Sequence, residues 1–269
     1  MNIRQVRKVL AILLLVSLGI LQSVCSKSKA PLGPSDDLLT AAERSWLLQK
    51  GTLLVGAFND YPPFGFVDAS GKAVGMSVDY WTLVAQNLGV KVVFTPMAFA
   101  DQLAGLRAGR YDALEGIFPL DERRQWFAFS VPYFAIDTRI YVDATHTDRT
   151  TLASLKGLTV AVVEGDSGQQ IALSAGLTTL SVSSYPLAVS AVAGGAAQAM
   201  ILDQLVADYF IAQASLSAKV KVVGSPVATG QMTMPVDVRN STLVGILNKG
   251  IAQVGPDAFN SIYAKWMGK

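Results

Sequence analysis

Short β-rich runs alternate with helical stretches along almost the whole chain, and several of the helical stretches stop on a glycine. Strands joined by helices of about ten residues return in the same direction, so this alternation implies an α/β fold with largely parallel sheets. In the first half, the capping box Thr40-Ala41-Ala42-Glu43 opens a helix that stops at Gly51. Strand 53–58 follows, then a helix over 79–88 with Asp79 as its N-cap and Gly89 as its stop. Strand 90–95, helix 101–108 and strand 113–117 complete that half. The second half reads as strands 158–163, 179–183, 199–202 and 219–223 with helices between them, and helices 242–254 and 256–267 close the chain.

A unit within this pattern repeats. Helix residues Leu103 to Ala108 lead through Gly109 to Asp112-Ala113-Leu114-Glu115, and Leu187 to Ala193 lead through Gly194-Gly195 to Ala199-Met200-Ile201-Leu202-Asp203. Two lobes of like topology present corresponding strand ends, near Gly116 in one and at Asp203 in the other. Ligands of α/β sheets sit beyond the carboxyl ends of strands, so a cleft between the lobes is expected. Two β-rich runs outside the alternation, 138–142 and 231–236, read as crossovers that act as hinges. The expected layout is an export signal over 1–25, a linker over 26–39, lobe 1 over 40–138 plus 236–269, and lobe 2 over 139–235.

The N-terminus follows a different logic. Arg4, Arg7 and Lys8 precede an apolar run from Val9 to about Leu21, which is short for a membrane span and reads as a signal for export to the periplasm. Cys25, the single cysteine, is either a lipid acceptor or a residue lost with the signal, and the body of the chain has no internal disulfide. No second hydrophobic segment follows, so the chain is not expected to be a transmembrane receptor. Its 22 Lys and Arg against 20 Asp and Glu, with no basic run in the body, give no footprint for nucleic acid.

The stretch 112–133 holds the most chemistry. An apolar strand breaks at Pro119 and passes through a charged turn with Arg123 and Arg124. A guanidinium beside backbone amides at a strand end holds a small anion; the alternative is a surface pair with Asp121 or Glu122. Glu115, a carboxylate in an apolar strand, either contacts a cationic ligand group or pairs with Arg107, Arg110 or Arg123. Tyr61 and Phe64 flank Pro62-Pro63 and form an aromatic wall or are pressed into the core, with Phe118 as a third ring. Such rings with Glu115 and Asp203 suit an ammonium or guanidinium. Ser167 lies in Gly-Asp-Ser-Gly, but His146, the single histidine, is distant, so neither a catalytic triad nor a metal site is expected.

From about Thr40 onward the chain resembles the bacterial extracellular solute-binding proteins of family 3, the type II periplasmic binding or Venus-flytrap fold. The resemblance is carried by Leu54-Val55-Gly56 with Tyr61-Pro62-Pro63-Phe64, Gly71-Lys72 with Gly75 and Asp79, and Gly109-Arg110-Tyr111-Asp112-Ala113. It continues through Glu122-Arg123 with Phe129-Ser130-Val131-Pro132-Tyr133, Leu155-Lys156-Gly157, Val160 to Gly165, and Ala264 to Gly268. The stretches Leu39 to Leu47 and Glu115 to Phe118 look most like members that form sensing domains.

The resemblance implies a monomeric binding protein without cofactor that closes on a small polar solute, amino-acid-like or a cationic amine, and hands it to the permease of an ABC importer. A separate sensor receptor is the other partner it implies, and a cyclohexadienyl dehydratase-like enzyme with Glu115 as acid is the alternative activity. Ligand contacts are implied at Tyr61, Phe64, Glu115, Gly116, Phe118, Arg123, Asp166, Ser167 and Asp203. Arg123 matches the carboxylate-binding arginine and Asp203 the ammonium-binding aspartate. The Thr expected three residues before the arginine is Leu120, the small hydroxyl residue two places earlier is Phe118, and Asp166 stands where a Thr is usual.

Overall fold

In a computed structural model the described residues are 38–267. The expected export signal, Cys25 and most of the linker lie outside them.

Two five-stranded sheets carry the fold. The first uses β1 (Thr52–Phe58), β5 (Lys91–Met97), β6 (Ala113–Leu114), β7 (Phe127–Phe129) and β13 (Pro235–Asp237) in the order β5-β1-β6-β13-β7. β5, β1 and β6 run parallel, and β13 is antiparallel to β6 and β7. The second uses β8 (Phe134–Asp143), β9 (Thr159–Val163), β10 (Thr178–Val182), β11 (Ala199–Asp203) and β12 (Val220–Met232) in the order β10-β9-β11-β8-β12. There β10, β9 and β11 are parallel, and β8 is antiparallel to β11 and β12. A small antiparallel sheet of β2 (Asp60–Tyr61), β3 (Gly65–Val67) and β4 (Ala73–Val74) sits after β1.

Helix boundaries follow local chemistry. The capping box of Thr40 and Glu43 opens α1 (Ala41–Lys50), and Gly51 closes it at φ 69°. α2 (Met76–Leu88) starts earlier than the sequence suggests. Its N-cap is Gly75 at φ 134°, where a Cβ would overlap the Phe64 carbonyl. Asp79 is therefore inside the first turn, and its carboxylate accepts Trp266 Nε1 at 2.7 Å and Lys265 Nζ at 2.6 Å, tying α8 (Pro256–Met267) to α2. α7 (Thr242–Ala252) crosses α2 closely, because a Cβ at Gly250 would meet Leu88 Cγ at 2.8 Å.

Residues 199–202 explain why a nearly continuous apolar run suits the second sheet. Met200 and Leu202 join the core under α5 (Tyr185–Ala193) and α6 (Gln204–Gln213), while Ala199 and Ile201 join the core under α4 (Ser167–Ser174). With helices on both faces, the two-residue period buries every side chain of the strand.

The crossover runs are parts of longer strands. β8 places Phe134 and Ile136 in the core of the first sheet and Ile140, Tyr141 and Val142 in those of the second. β12 pairs with it from Val220↔Asp143 to Met232↔Phe134. The runs expected as separate pieces at 219–223 and 231–236 are thus largely one strand, with a bulge between Val223 and Ala228, followed by β13.

Candidate functional site

A cavity of about 660 Å³ opens between the two sheets, at the carboxyl ends of β1, β9 and β11. Of the residues singled out in the sequence, Tyr61, Gly116, Phe118, Arg123, Asp166, Ser167 and Asp203 line it together.

Phe64 and Glu115 do not. Phe64 is wholly buried, stacked on Tyr61 at 5.3 Å and edge-on to Phe134 at 5.6 Å, so of the two rings beside Pro62-Pro63 only Tyr61 reaches the cavity. Glu115 is also wholly buried: its Oε2 accepts the Phe58 amide at 3.0 Å, and its carboxyl lies where a Cβ on Gly65 would stand. It makes no ion pair with Arg107, Arg110 or Arg123. Arg107 lies over Trp126 instead, 3.8 Å from the ring centroid. Burial pushes the Glu115 carboxyl well above its usual range, partly offset by the Phe58 N–H, which favours the protonated acid at this buried position.

Asp203 ends β11 and is 1% exposed. Its Oδ2 accepts the Tyr61 hydroxyl at 2.6 Å and its Oδ1 the Thr138 hydroxyl at 2.7 Å. Burial first, and the Asp166 charge second, raise its pKa to about 7 against the lowering effect of both hydroxyls.

Arg123 stands on a 3-10 turn (Asp121–Arg123) and donates Nη1 to the Phe118 carbonyl at 2.9 Å, with its guanidinium 5.4 Å from the Phe99 centroid. The surface pairing considered for it falls to its neighbour: Arg124 meets Asp121 at 3.3 Å. Burial lowers the Arg123 pKa while the Glu122 and Asp166 charges raise it. Phe118 lies across Gly230 of β12, where any Cβ would overlap its ring, and Gly116 gives the same clearance to Tyr133 and Met232.

Asp166 is the N-cap of α4. Its Oδ1 accepts the Ser167 amide at 2.6 Å and the Ser167 hydroxyl at 3.2 Å, while its Oδ2 is buried without a hydrogen-bond partner. Burial raises its pKa, opposed by the Ser167 hydrogen bonds, the Tyr185 hydroxyl and then the Arg123 charge. The helix N-terminus that the resemblance offers to a ligand anion is therefore already occupied by a carboxylate of the chain itself.

Sequence reasoning missed Phe58, Phe99, Thr138 and Tyr185. Phe99 and Tyr185 are the first residues of α3 (Phe99–Arg107) and α5, each directly after a parallel strand, so the internal repeat could have located them as a pair. Tyr185 lies 5.7 Å from Tyr61 across the cavity and stacks on Phe210 at 6.1 Å.

The family described as bacterial extracellular solute-binding proteins, family 3, matches residues 53–269. A Haemophilus influenzae protein named "Probable amino-acid ABC transporter-binding protein" is 34% identical over 161 residues, 59% of this chain and 63% of that protein. The virulence sensor protein BvgS of Bordetella pertussis is 26% identical over 249 residues, 91% of this chain but 20% of BvgS. The chain thus spans less than two thirds of the length of either relative. The solved structure of an ancestral arginine-binding protein bound to arginine is 32% identical with a TM-score of 0.72, covering 81% of this chain and 99% of that one.

Proposed function

This chain belongs to the bacterial extracellular solute-binding proteins, family 3, and on that premise we propose that it is an exported, non-enzymatic, monomeric binding protein for a small amino-acid-like or cationic amine solute. The observation that carries the reading is the pairing, in one aromatic-walled cavity, of a half-buried guanidinium with a buried carboxylate, Arg123 and Asp203. Arg123 receives a carboxylate and Asp203 an ammonium, while Tyr61, Phe118, Phe99 and Tyr185 cover the carbon chain. Closure turns about β8 and β12 near 138–142 and 231–236, and the closed form docks on the permease of an ABC importer in the periplasm. The arginine-bound ancestral protein and the amino-acid transporter relative support this choice of solute and partner.

The test is isothermal calorimetry with a panel of amino acids and amines, followed by Arg123→Ala and Asp203→Ala. Each change should weaken binding of any panel member that binds. Unchanged affinity in both variants would sink the site assignment. A second reading, service to a separate sensor receptor, is favoured by the BvgS match along 91% of this chain. Uptake of labelled ligand separates the two: a deletion strain that keeps full uptake and loses a transcriptional response favours the sensor. Against the dehydratase alternative stands the position of its candidate acid, Glu115, which is wholly buried and not among the cavity-lining residues. No conversion of prephenate is expected.

A further inference from the structure

The geometry points to Asp166 as the residue that sets the ligand class: its free carboxylate oxygen receives a second cationic group, so the cleft takes a solute with two cationic centres. This rests on the binding-protein reading and adds to it.

Charge is the first argument. Asp60, Glu164, Asp166 and Asp203 line the cavity, and Arg123 is the single cationic side chain among its described lining residues. A neutral amino acid brings one carboxylate and one ammonium. It would engage Arg123 and Asp203 and bring no positive charge to Asp166, whose support is then limited to its Ser167 hydrogen bonds, the Tyr185 hydroxyl and an Arg123 shared with the ligand, a costly arrangement. A second cation on the ligand removes that cost.

Geometry is the second argument. Asp166 is one of the residues that line the cavity, and capping α4 uses only its Oδ1, whereas Oδ2 is buried without a well-formed hydrogen bond, with the Tyr185 hydroxyl beside the carboxylate. A carboxylate oxygen in that position accepts a further donor, and Arg123, whose charge acts on Asp166, forms no ion pair with it and donates Nη1 to the Phe118 carbonyl. No three of the described His, Cys, Asp and Glu side chains converge as metal ligands would. An organic ammonium or guanidinium fits instead, and the rings of Tyr61, Phe99 and Tyr185 add cation–π attraction to it.

Basic amino acids and diamines share this chemistry, and the two sources differ in the carboxylate offered to Arg123. Calorimetry on the full chain with L-ornithine, putrescine, L-citrulline and L-glutamine tests the inference, alongside Asp166→Asn and Asp166→Thr, both of which keep a side-chain oxygen for the helix cap. Ornithine, putrescine or both should bind more tightly than citrulline and glutamine. Ornithine stronger than putrescine identifies a basic amino acid; the reverse identifies a diamine. Either Asp166 variant should weaken the dication about 30-fold or more and citrulline by less than about threefold. Equal losses for charged and neutral probes, or none, overturn the inference. Wild-type protein that binds only citrulline or glutamine overturns it while leaving the binding-protein reading intact, and protein that binds none of the four overturns both.

Discussion

Replacing Asp203 by asparagine should stabilise the protein at alkaline pH more than in acid. The carboxyl is 1% exposed and its pKa is raised from 3.8 to about 7, by burial and then by the charge of Asp166. Between those two values the folded protein holds a proton that the unfolded chain has released, so stability falls as pH rises across that window. Above pH 7 the whole cost is present, roughly 4 kcal/mol, and below pH 4 it has nearly vanished. Asparagine cannot ionise, and it retains both hydroxyl neighbours: its amide oxygen accepts from one, and the other can turn to accept from the amide nitrogen. Urea unfolding at pH 5 and pH 8.5 measures the effect. Between those pH values the wild type should lose roughly 2–3 kcal/mol more than Asp203→Asn. The charged groups that face Asp203 are Asp166 from α4 and, beyond it, Arg123, with the tyrosines Tyr61 and Tyr185 alongside. Because Asp166 titrates with it, the difference reads the pair. A variant whose stability tracks the wild type at both pH values, or falls below it at pH 8.5, would refute the claim that a desolvated carboxylate is held here at the expense of stability.

Tyr61→Phe removes the hydroxyl that reaches Asp203 Oδ2 at 2.6 Å and should cost about 1.5–3 kcal/mol at pH 8.5, where the acceptor is charged, and less at pH 5; equal losses at both pH values in urea unfolding would contradict this. Glu115→Gln replaces a wholly buried carboxyl, whose ionised form burial disfavours, by an amide of the same shape, so thermal melting at pH 7.5 should show equal or greater stability and ligand affinity should not change. A large loss of affinity would return Glu115 to the cleft. Gly65→Ala drives a methyl into the Glu115 carboxyl and should destabilise by about 1–3 kcal/mol, with the loss reduced when Glu115→Ala is added. Additive losses in the double variant would show that the two groups do not meet.

Most of the fold could be read because each local rule agreed with the global one. Thr40 and Glu43 cap a helix in sequence and in space, and the strand–helix alternation produces the parallel parts of both sheets. The misreadings share one cause, in which tertiary contact overrode local punctuation. Gly224-Ser225-Pro226 looks like the end of a strand, yet β12 continues through a bulge. Gly224 takes φ 64° against the Thr150 carbonyl, and Pro226 is tolerated because β12 is an edge strand with no ladder bond to lose there. Asp79 has the chemistry of an N-cap, but Gly75 starts the helix because only a residue without Cβ fits against the Phe64 carbonyl.

The site was legible where its residues sit at strand ends and illegible where burial depends on a distant partner. Tyr61 and Asp203 could be placed from their strands, and Arg123 from the charged turn that follows one. Whether Glu115 faces the cleft or the core was decided by Gly65, whose missing side chain leaves room for the carboxyl, and by the Phe58 amide that receives it. Phe99 and Tyr185 show the remaining route. Each is the first residue of a helix that follows a parallel strand, so each is delivered to the cleft by the same topology that delivers Asp166 and Ser167 at the start of α4. In a fold built by repeating strand and helix, the helix-start positions of the two halves line one cavity. Their side chains, Phe99 from one half and Asp166 and Tyr185 from the other, set its charge and its aromatic walls.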